Sequence, residues 1–164
     1  MELINMTKDT PEFSLQGLTL QGKVVELYDA DTCKIVLPVQ NAFYKFTCRL
    51  SGIDTPEMKP LKTKANREGE IVWAKKARAE LLKLICTDDQ EIDPLDMKKE
   101  EIVTLLEKNK NLITVKCLEF DKYGRLLVEL YGQTVDKSFN NMLIEKNMAV
   151  AYDGGKKINP WSSP

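Results

Sequence analysis

The sequence contains no histidine. That absence excludes Ser-His-Asp and Cys-His nucleophile systems, His-ligated zinc, and any imidazole acid or base. Chemistry in this chain must run on carboxylates, Lys, Arg, Tyr, Cys or a hard metal ion. An excess of charge of one sign is also lacking, with 24 Lys and Arg against 25 Asp and Glu, a net of -1. The whole-chain balance thus carries no sign of nucleic-acid binding, since such domains are often strongly basic. No run of about 18 apolar residues occurs, so no membrane span is expected. The first twenty residues lack the apolar core of a signal peptide, which points to an intracellular protein. None of the four cysteines, Cys33, Cys48, Cys86 and Cys117, forms a C-x-x-C pair. Cys33 and Cys48 lie about equally far from Gln40-Asn41, so a disulfide across a hairpin is conceivable. Buried free thiols suit a chain of this kind better. Repeats and low-complexity tracts are missing as well.

What is present is a length of 164 residues, enough for one domain, with 43% hydrophobic and 30% charged residues. Residues 1–16 are polar, carry Pro11, and read as an N-terminal arm. Three β-rich stretches follow: Gly22 to Leu27, Cys33 to Val39 and Phe43 to Leu50. Turns near Asp29 to Asp31 and at Gln40-Asn41 would make them consecutive antiparallel strands. Thr63 to Ile85 reads as a helix, with Ala74, Ala77, Leu81 and Leu84 forming an apolar stripe. A second helix is expected from Asp93-Pro94, with Asp93 as its cap and Ile102, Leu105 and Leu106 on its apolar face. Leu112 to Phe120 and Leu126 to Tyr131 read as strands, and Phe139 to Lys146 as a short helix ending at Asn147 in a left-handed cap. Residues 154–164 read as a flexible tail. Three strands, two helices, two strands and a helix fit a mainly β, five-stranded barrel of the OB type over 17–153, with a helical insert at about 87–110. Charge is uneven along it. Lys59 to Leu84 carries a net of +5, and Thr87 to Glu107 a net of -6. These could be two ordinary solvated helix faces, or a basic helix flanking a polyanion site. The acidic helix could equally be a capped surface helix or a device that recruits a partner or restrains the site.

Three short segments carry chemistry. Asp29-Ala30-Asp31-Thr32 places two carboxylates on a turn. Arg49-Leu50-Ser51-Gly52-Ile53-Asp54-Thr55-Pro56-Glu57 ends a strand with an arginine and then offers two more. Asp121-Lys122-Tyr123-Gly124-Arg125 is a basic and aromatic turn entering a strand. Each alone also fits plain Asx-turn, capping or turn chemistry. Together they form a set. Asp31 and Asp54 on one barrel rim would offer oxygen ligands to a hard cation, with a backbone carbonyl and waters completing the shell. A site with neither nitrogen nor sulfur ligands points to Ca²⁺ or Mg²⁺ and away from zinc, and its size and flexibility favour Ca²⁺. Glu57 would reach a water, and Arg49 and Arg125 would clamp a phosphate and stabilise charge developing on phosphorus.

In this order and spacing the three segments resemble the staphylococcal nuclease (thermonuclease) family. The resemblance runs from about Lys23 to Tyr152, through the V-x-x-x-x-N-x-x-L pattern of Val135 to Leu143. Thr10-Pro11-Glu12-Phe13 and Gly154-Gly155-Lys156 are similar to family members of large DNA viruses. The resemblance implies an OB-fold, Ca²⁺-dependent nuclease that cleaves DNA and RNA and leaves 3′-phosphates. It implies Asp31 and Asp54 as side-chain metal ligands and Thr55 as a carbonyl ligand. Glu57 would activate or position the attacking water, with Arg49 and Arg125 on the scissile phosphate. Lys122 and Tyr123 would contact the terminal phosphate of a bound nucleotide, and Tyr152 would fill an aromatic nucleotide contact. A monomer acting on DNA or RNA is expected. The competing expectation is a non-catalytic module of the same fold that binds nucleic acid or protein. Two positions depart from the family pattern. Ala30 stands where the family usually has Gly, which would cost on the order of 1 kcal/mol if the turn needs positive φ. Asn147 replaces the usual Gly after the last helix.

Overall fold

A computed structural model of the chain describes residues 2–87, 93–133 and 136–162. Residues 88–92 of the acidic insert, and Val135 at the head of the V-x-x-x-x-N-x-x-L pattern, lie outside the described residues. Five strands close a barrel: β1 (Thr19–Leu27), β2 (Thr32–Val39), β3 (Ala42–Leu50), β5 (Ile113–Phe120) and β6 (Leu126–Tyr131). Their order around it is β1-β2-β3-β6-β5, antiparallel except for the β3–β6 pair. A two-residue strand β4 (Ile53–Asp54) pairs with β7 (Val150–Ala151) beside the barrel. The expected OB-type barrel with three helices is therefore what forms.

Local chemistry explains the path. Gln40 and Asn41 both adopt left-handed φ, of 50° and 66°, and so close the β2–β3 hairpin with the twist its strands need. A register shift between Val24 and Glu26 bends β1. Gly22 lies where β1 runs against the barrel interior: a Cβ there would fall 2.7 Å from the Ile35 side chain. Inward residues Val24, Ile35, Leu37, Leu50, Val115 and Val128 fill the barrel, each almost wholly buried. Cys33 and Cys48 face each other directly in the β2–β3 register, and all four cysteines are free thiols. Burial pushes the Cys48 thiol up to about 12, so it stays protonated and apolar.

Helix α1 (Arg67–Ile85) lays Ala77, Leu81, Leu82 and Ile85 on the barrel and buries Ala74 as well. It starts four residues later than its periodicity predicts. Asn66 takes a left-handed φ of 51°, which a helix cannot pass through, and Lys64 closes a turn onto Leu61 instead. Helix α2 (Lys99–Lys108) buries Ile102 and Leu106 and half-buries Leu105. It does not start at Asp93. The Asp93 carboxylate accepts the Leu95 N–H at 3.1 Å and closes a turn, and the first N–H capped is that of Lys98, on Glu101 at 3.3 Å. Helix α3 (Phe139–Glu145) is capped by Ser138, whose hydroxyl accepts the Asn141 N–H, and ends at Asn147 with φ 61°. The C-terminal tail is not a loose end. Trp161, in a short 3-10 helix (Pro160–Ser162), is 4% exposed and sits against α1.

Candidate active site

Strand pairing gathers the acidic groups. Thr32 lies opposite Arg49, and pairing continues one step further because Leu50 donates its N–H to the Asp31 carbonyl at 2.9 Å. Asp31 is thereby fixed at the mouth of β2, its N–H on the Asp29 carboxylate (3.2 Å) and its Oδ1 accepting the Thr32 hydroxyl (3.0 Å). Ala30 sits buried in this turn and is not among the residues with positive φ, so the alanine carries no left-handed strain. β4 delivers Asp54 to the same rim through its pairing with Val150. Asn140 holds the intervening turn: its amide donates to the Ser51 and Val128 carbonyls (2.8 and 3.1 Å) and accepts the Leu130 N–H (3.2 Å).

Arg49 spans the two carboxylates. Its Nη2 lies 3.4 Å from Asp31 Oδ2 and 3.6 Å from Asp54 Oδ1, and its Nη1 donates to the Leu50 carbonyl at 2.6 Å. The oxygens of Asp31 and Asp54 thus converge on one point, and both residues are 7% exposed. Burial pushes the Asp54 carboxyl up and the Asp31 charge adds to this, while Lys157 and Arg49 oppose it. Asp29 is pushed well above the usual carboxylate range by burial, by the charge of Asp31, and by a side-chain hydrogen bond with Asp31, against the backbone N–H groups of Asp31 and Thr32, which lower it. Burial, before the surrounding charges, sets both carboxyls high.

The opposite wall is the 121–125 turn. Asp121 accepts the N–H groups of Tyr123 and Arg125, each at 2.9 Å, and the Arg125 Nε at 2.7 Å. Gly124 supplies the left-handed residue, with φ +81°. The turn presents Arg125 and Lys122 over the exposed Tyr123 ring, 5.2 and 5.1 Å from its centroid.

A single cleft of about 900 Å³ joins these walls. Asp31, Arg49, Asp54, Glu57, Lys122, Tyr123, Arg125 and Tyr152 all line it. Thr55 does not: it is buried behind Asp54, with its hydroxyl lacking a hydrogen-bond partner. Four residues to which the sequence assigned no role matter here. Asp29 and Asn140 set the rim. Glu70 on α1 is fully buried and accepts the Glu57 N–H at 3.4 Å. Lys157 in the tail reaches 3.7 Å from Asp54 Oδ1. A charged residue on the buried face of an amphipathic helix was a signal that could have marked Glu70. Lys157 lay in a stretch with no pattern to read.

The converging oxygens, their burial and the absence of nitrogen or sulfur donors fit a hard cation and not a soft one. Among the described residues no three His, Cys, Asp or Glu side chains assemble into a metal centre, so backbone carbonyls and waters would have to complete such a shell. Among the described residues no helix is long and apolar enough to cross a membrane. No curated protein matches the chain. The family model described as staphylococcal nuclease homologue matches residues 47–160, which takes in both arginines, Asp54, Glu57, the 121–125 turn and the tail lysine. Asp31 lies before the matched span and is brought to it by the β2–β3 pairing. With that span covering well over half of its length, the chain belongs to the staphylococcal nuclease homologue family.

Proposed function

We propose that this chain is a calcium-dependent nuclease that hydrolyses phosphodiester bonds of DNA and RNA and leaves 3′-phosphate ends. The observation that supports it most is Arg49 bridging two buried, converging carboxylates in a cleft that also holds Glu57 and Arg125. Asp31 and Asp54 are the groups that would hold Ca²⁺; the Thr55 carbonyl, which the resemblance adds to them, would reach the ion only from behind the cleft lining. Bound there, the ion supplies charge neutralisation for a phosphate oxygen. Glu57 takes a proton from the attacking water. The water oxygen bonds to phosphorus, the P–O5′ bond breaks, and the leaving oxygen picks up a proton from solvent. Arg49 and Arg125 hold the non-bridging oxygens and gain strength as charge builds on them. Lys122 and Tyr123 contact the terminal phosphate, and Tyr152 gives the nucleotide an aromatic face. The working unit is residues 17–153, with 1–16 an arm, 87–110 an insert, and 154–164 a tail held near the cleft by Trp161. One chain supplies every group, so a monomer suffices.

Plasmid degradation tests this reading. Degradation is expected with Ca²⁺, is expected to stop in chelator, and is expected to fall about 10²–10⁴-fold in Glu57→Gln. Undiminished cleavage in chelator or in the mutant overturns the mechanism. Oligonucleotide binding with no cleavage by the unaltered chain would assign it instead as a non-catalytic binding module.

A further inference from the structure

A second cavity, of about 480 Å³, adjoins the cleft and shares Tyr28, Thr32, Met58 and Lys59 with it. Its far wall belongs to the insert, since α2 contributes Lys99 and Val103. Its cations outnumber its acids. Lys34, Lys59, Arg78 and Lys99 face a single carboxylate, Glu26, and Glu26 is already paired with Lys34 at 3.4 Å. Among the described residues neither Lys59 nor Lys99 is in an ion pair.

Arg78 is the informative residue. It is 8% exposed, on the face of α1 turned to the barrel, and its Nη2 donates to the Met97 carbonyl at 2.8 Å. Its Nε is buried with no hydrogen-bond partner. The Asp29 carboxylate acts on it at longer range. A buried guanidinium with an idle N–H is costly unless something accepts from it. An anion seated in the cavity would face the Arg78 guanidinium and would also meet Lys59 and Lys99. Leu27, Met58 and Val103 give the same cavity an apolar side. Phosphate-binding cations beside an apolar wall are what a nucleotide, with its charged backbone and flat base, requires.

We propose that this cavity is a second nucleotide subsite, in which the strand's next phosphate meets Arg78, Lys59 and Lys99 while its base lies against Met58 and Val103. The inference rests on the nuclease reading for the direction of the strand but not for the binding itself. The insert thereby acquires a role in binding. Its helix is acidic in sum, yet it turns a lysine and a valine to the strand.

Binding by fluorescence anisotropy tests it. The full chain is used with Glu57→Gln and Ca²⁺, so that labelled strands survive. The probes are thymidine mononucleotide, which fills the cleft alone, and thymidine octanucleotide. The octanucleotide is expected to bind at least tenfold more tightly. Lys99→Glu and Arg78→Gln are each expected to weaken octanucleotide binding about fivefold or more, and mononucleotide binding by a clearly smaller factor. The salt slope for the octanucleotide should also shrink in both. Lys116→Glu, outside both cavities, carries the same charge change as the lysine variant and should move neither affinity. Lys99 is exposed, so its variant keeps the test open should Arg78→Gln loosen the insert. Equal weakening of both probes, effects no larger than those of Lys116→Glu, or no dependence on length would each overturn the subsite. Length-dependent binding in a chain that fails to degrade plasmid would overturn the nuclease reading and leave the subsite standing.

Discussion

Asp121 shows how one carboxylate can set a catalytic wall. Three N–H groups converge on it, two from backbone and one from Arg125. Burial alone would raise its carboxyl. The hydrogen bonds from Arg125 and Tyr123, with the Arg125 charge, outweigh that and hold it below the usual carboxylate range. A depressed folded pKa contributes stability that is present above the unfolded value of about 3.9 and lost as pH falls through the folded one. Asp121→Asn is therefore expected to cost about 1–2 kcal/mol at pH 7. The cost should shrink at acid pH, once pH has fallen through the lowered pKa of the native carboxyl and it is protonated as well. Urea unfolding at the two pH values checks this; an equal loss at both would mean that the charge of Asp121 is irrelevant to the turn. The turn itself was legible in the sequence, because Gly124 and the D-K-Y-G-R order specify it locally. The role of Asp121 as the acceptor that aims Arg125 was not, since it depends on where the guanidinium lies.

At the scale of elements, the approach to α1 carries the Glu57 carboxylate and has little secondary structure of its own. Its order comes from Glu70, one turn into the helix. This fully buried carboxylate accepts the Glu57 N–H and the Asn159 amide (3.0 Å) through one oxygen, and forms an ion pair with Lys64 (2.9 Å) through the other. The Lys64 contact through that oxygen is an ion pair without hydrogen-bond alignment; the aligned bond from Lys64 goes to the shared oxygen at 3.2 Å. Glu70→Gln keeps an acceptor and removes the charge. It is expected to destabilise the chain by about 2 kcal/mol. The turnover rate should fall about tenfold well below the melting temperature, because a displaced base loses alignment. Full turnover in a destabilised variant would make Glu70 purely structural. Helix boundaries misled for a related reason. Asp93-Pro94 has the chemistry of a helix start, yet the same carboxylate closes an Asx turn when Lys98 remains extended. Asn66 delays the start of the helix expected over 63–85 because its backbone is left-handed. Strands were easier to read: alternation and the Gln40-Asn41 turn are local signals, whereas Glu70 reaches a partner 89 residues away.

For the whole molecule, the sequence order of the parts hides which of them share the cleft. The family match runs to residue 160, and the tail is clipped at two points, Asn159 on Glu70 within that span and Trp161 against α1 one residue beyond it. Between the clips and the end of β7, Lys157 is held over the rim, 3.7 Å from Asp54 Oδ1 and 5.7 Å from the Tyr152 ring centroid. In the proposed site Asp54 is one of the two carboxylates that would hold a divalent cation, so the lysine and the cation would compete for one oxygen. Lys157 is half-exposed, and pairs of that kind are worth about 0.2–1 kcal/mol. Removing it by Lys157→Ala should accordingly tighten apparent Ca²⁺ affinity by about two- to fivefold at low salt. The gain should fade as salt screens the lysine in the unaltered chain. Calcium titration of cleavage rate, with tryptophan fluorescence as a readout independent of turnover, measures both. A weaker affinity in the variant would reverse the assignment and make the lysine a group that helps assemble the site. Lys157 and Arg49 both lower the Asp54 carboxyl, against burial and the Asp31 charge that raise it. Losing the lysine removes one of the two cations that favour the charged carboxylate, and a divalent cation at the same oxygen would take over that role with two charges in place of one.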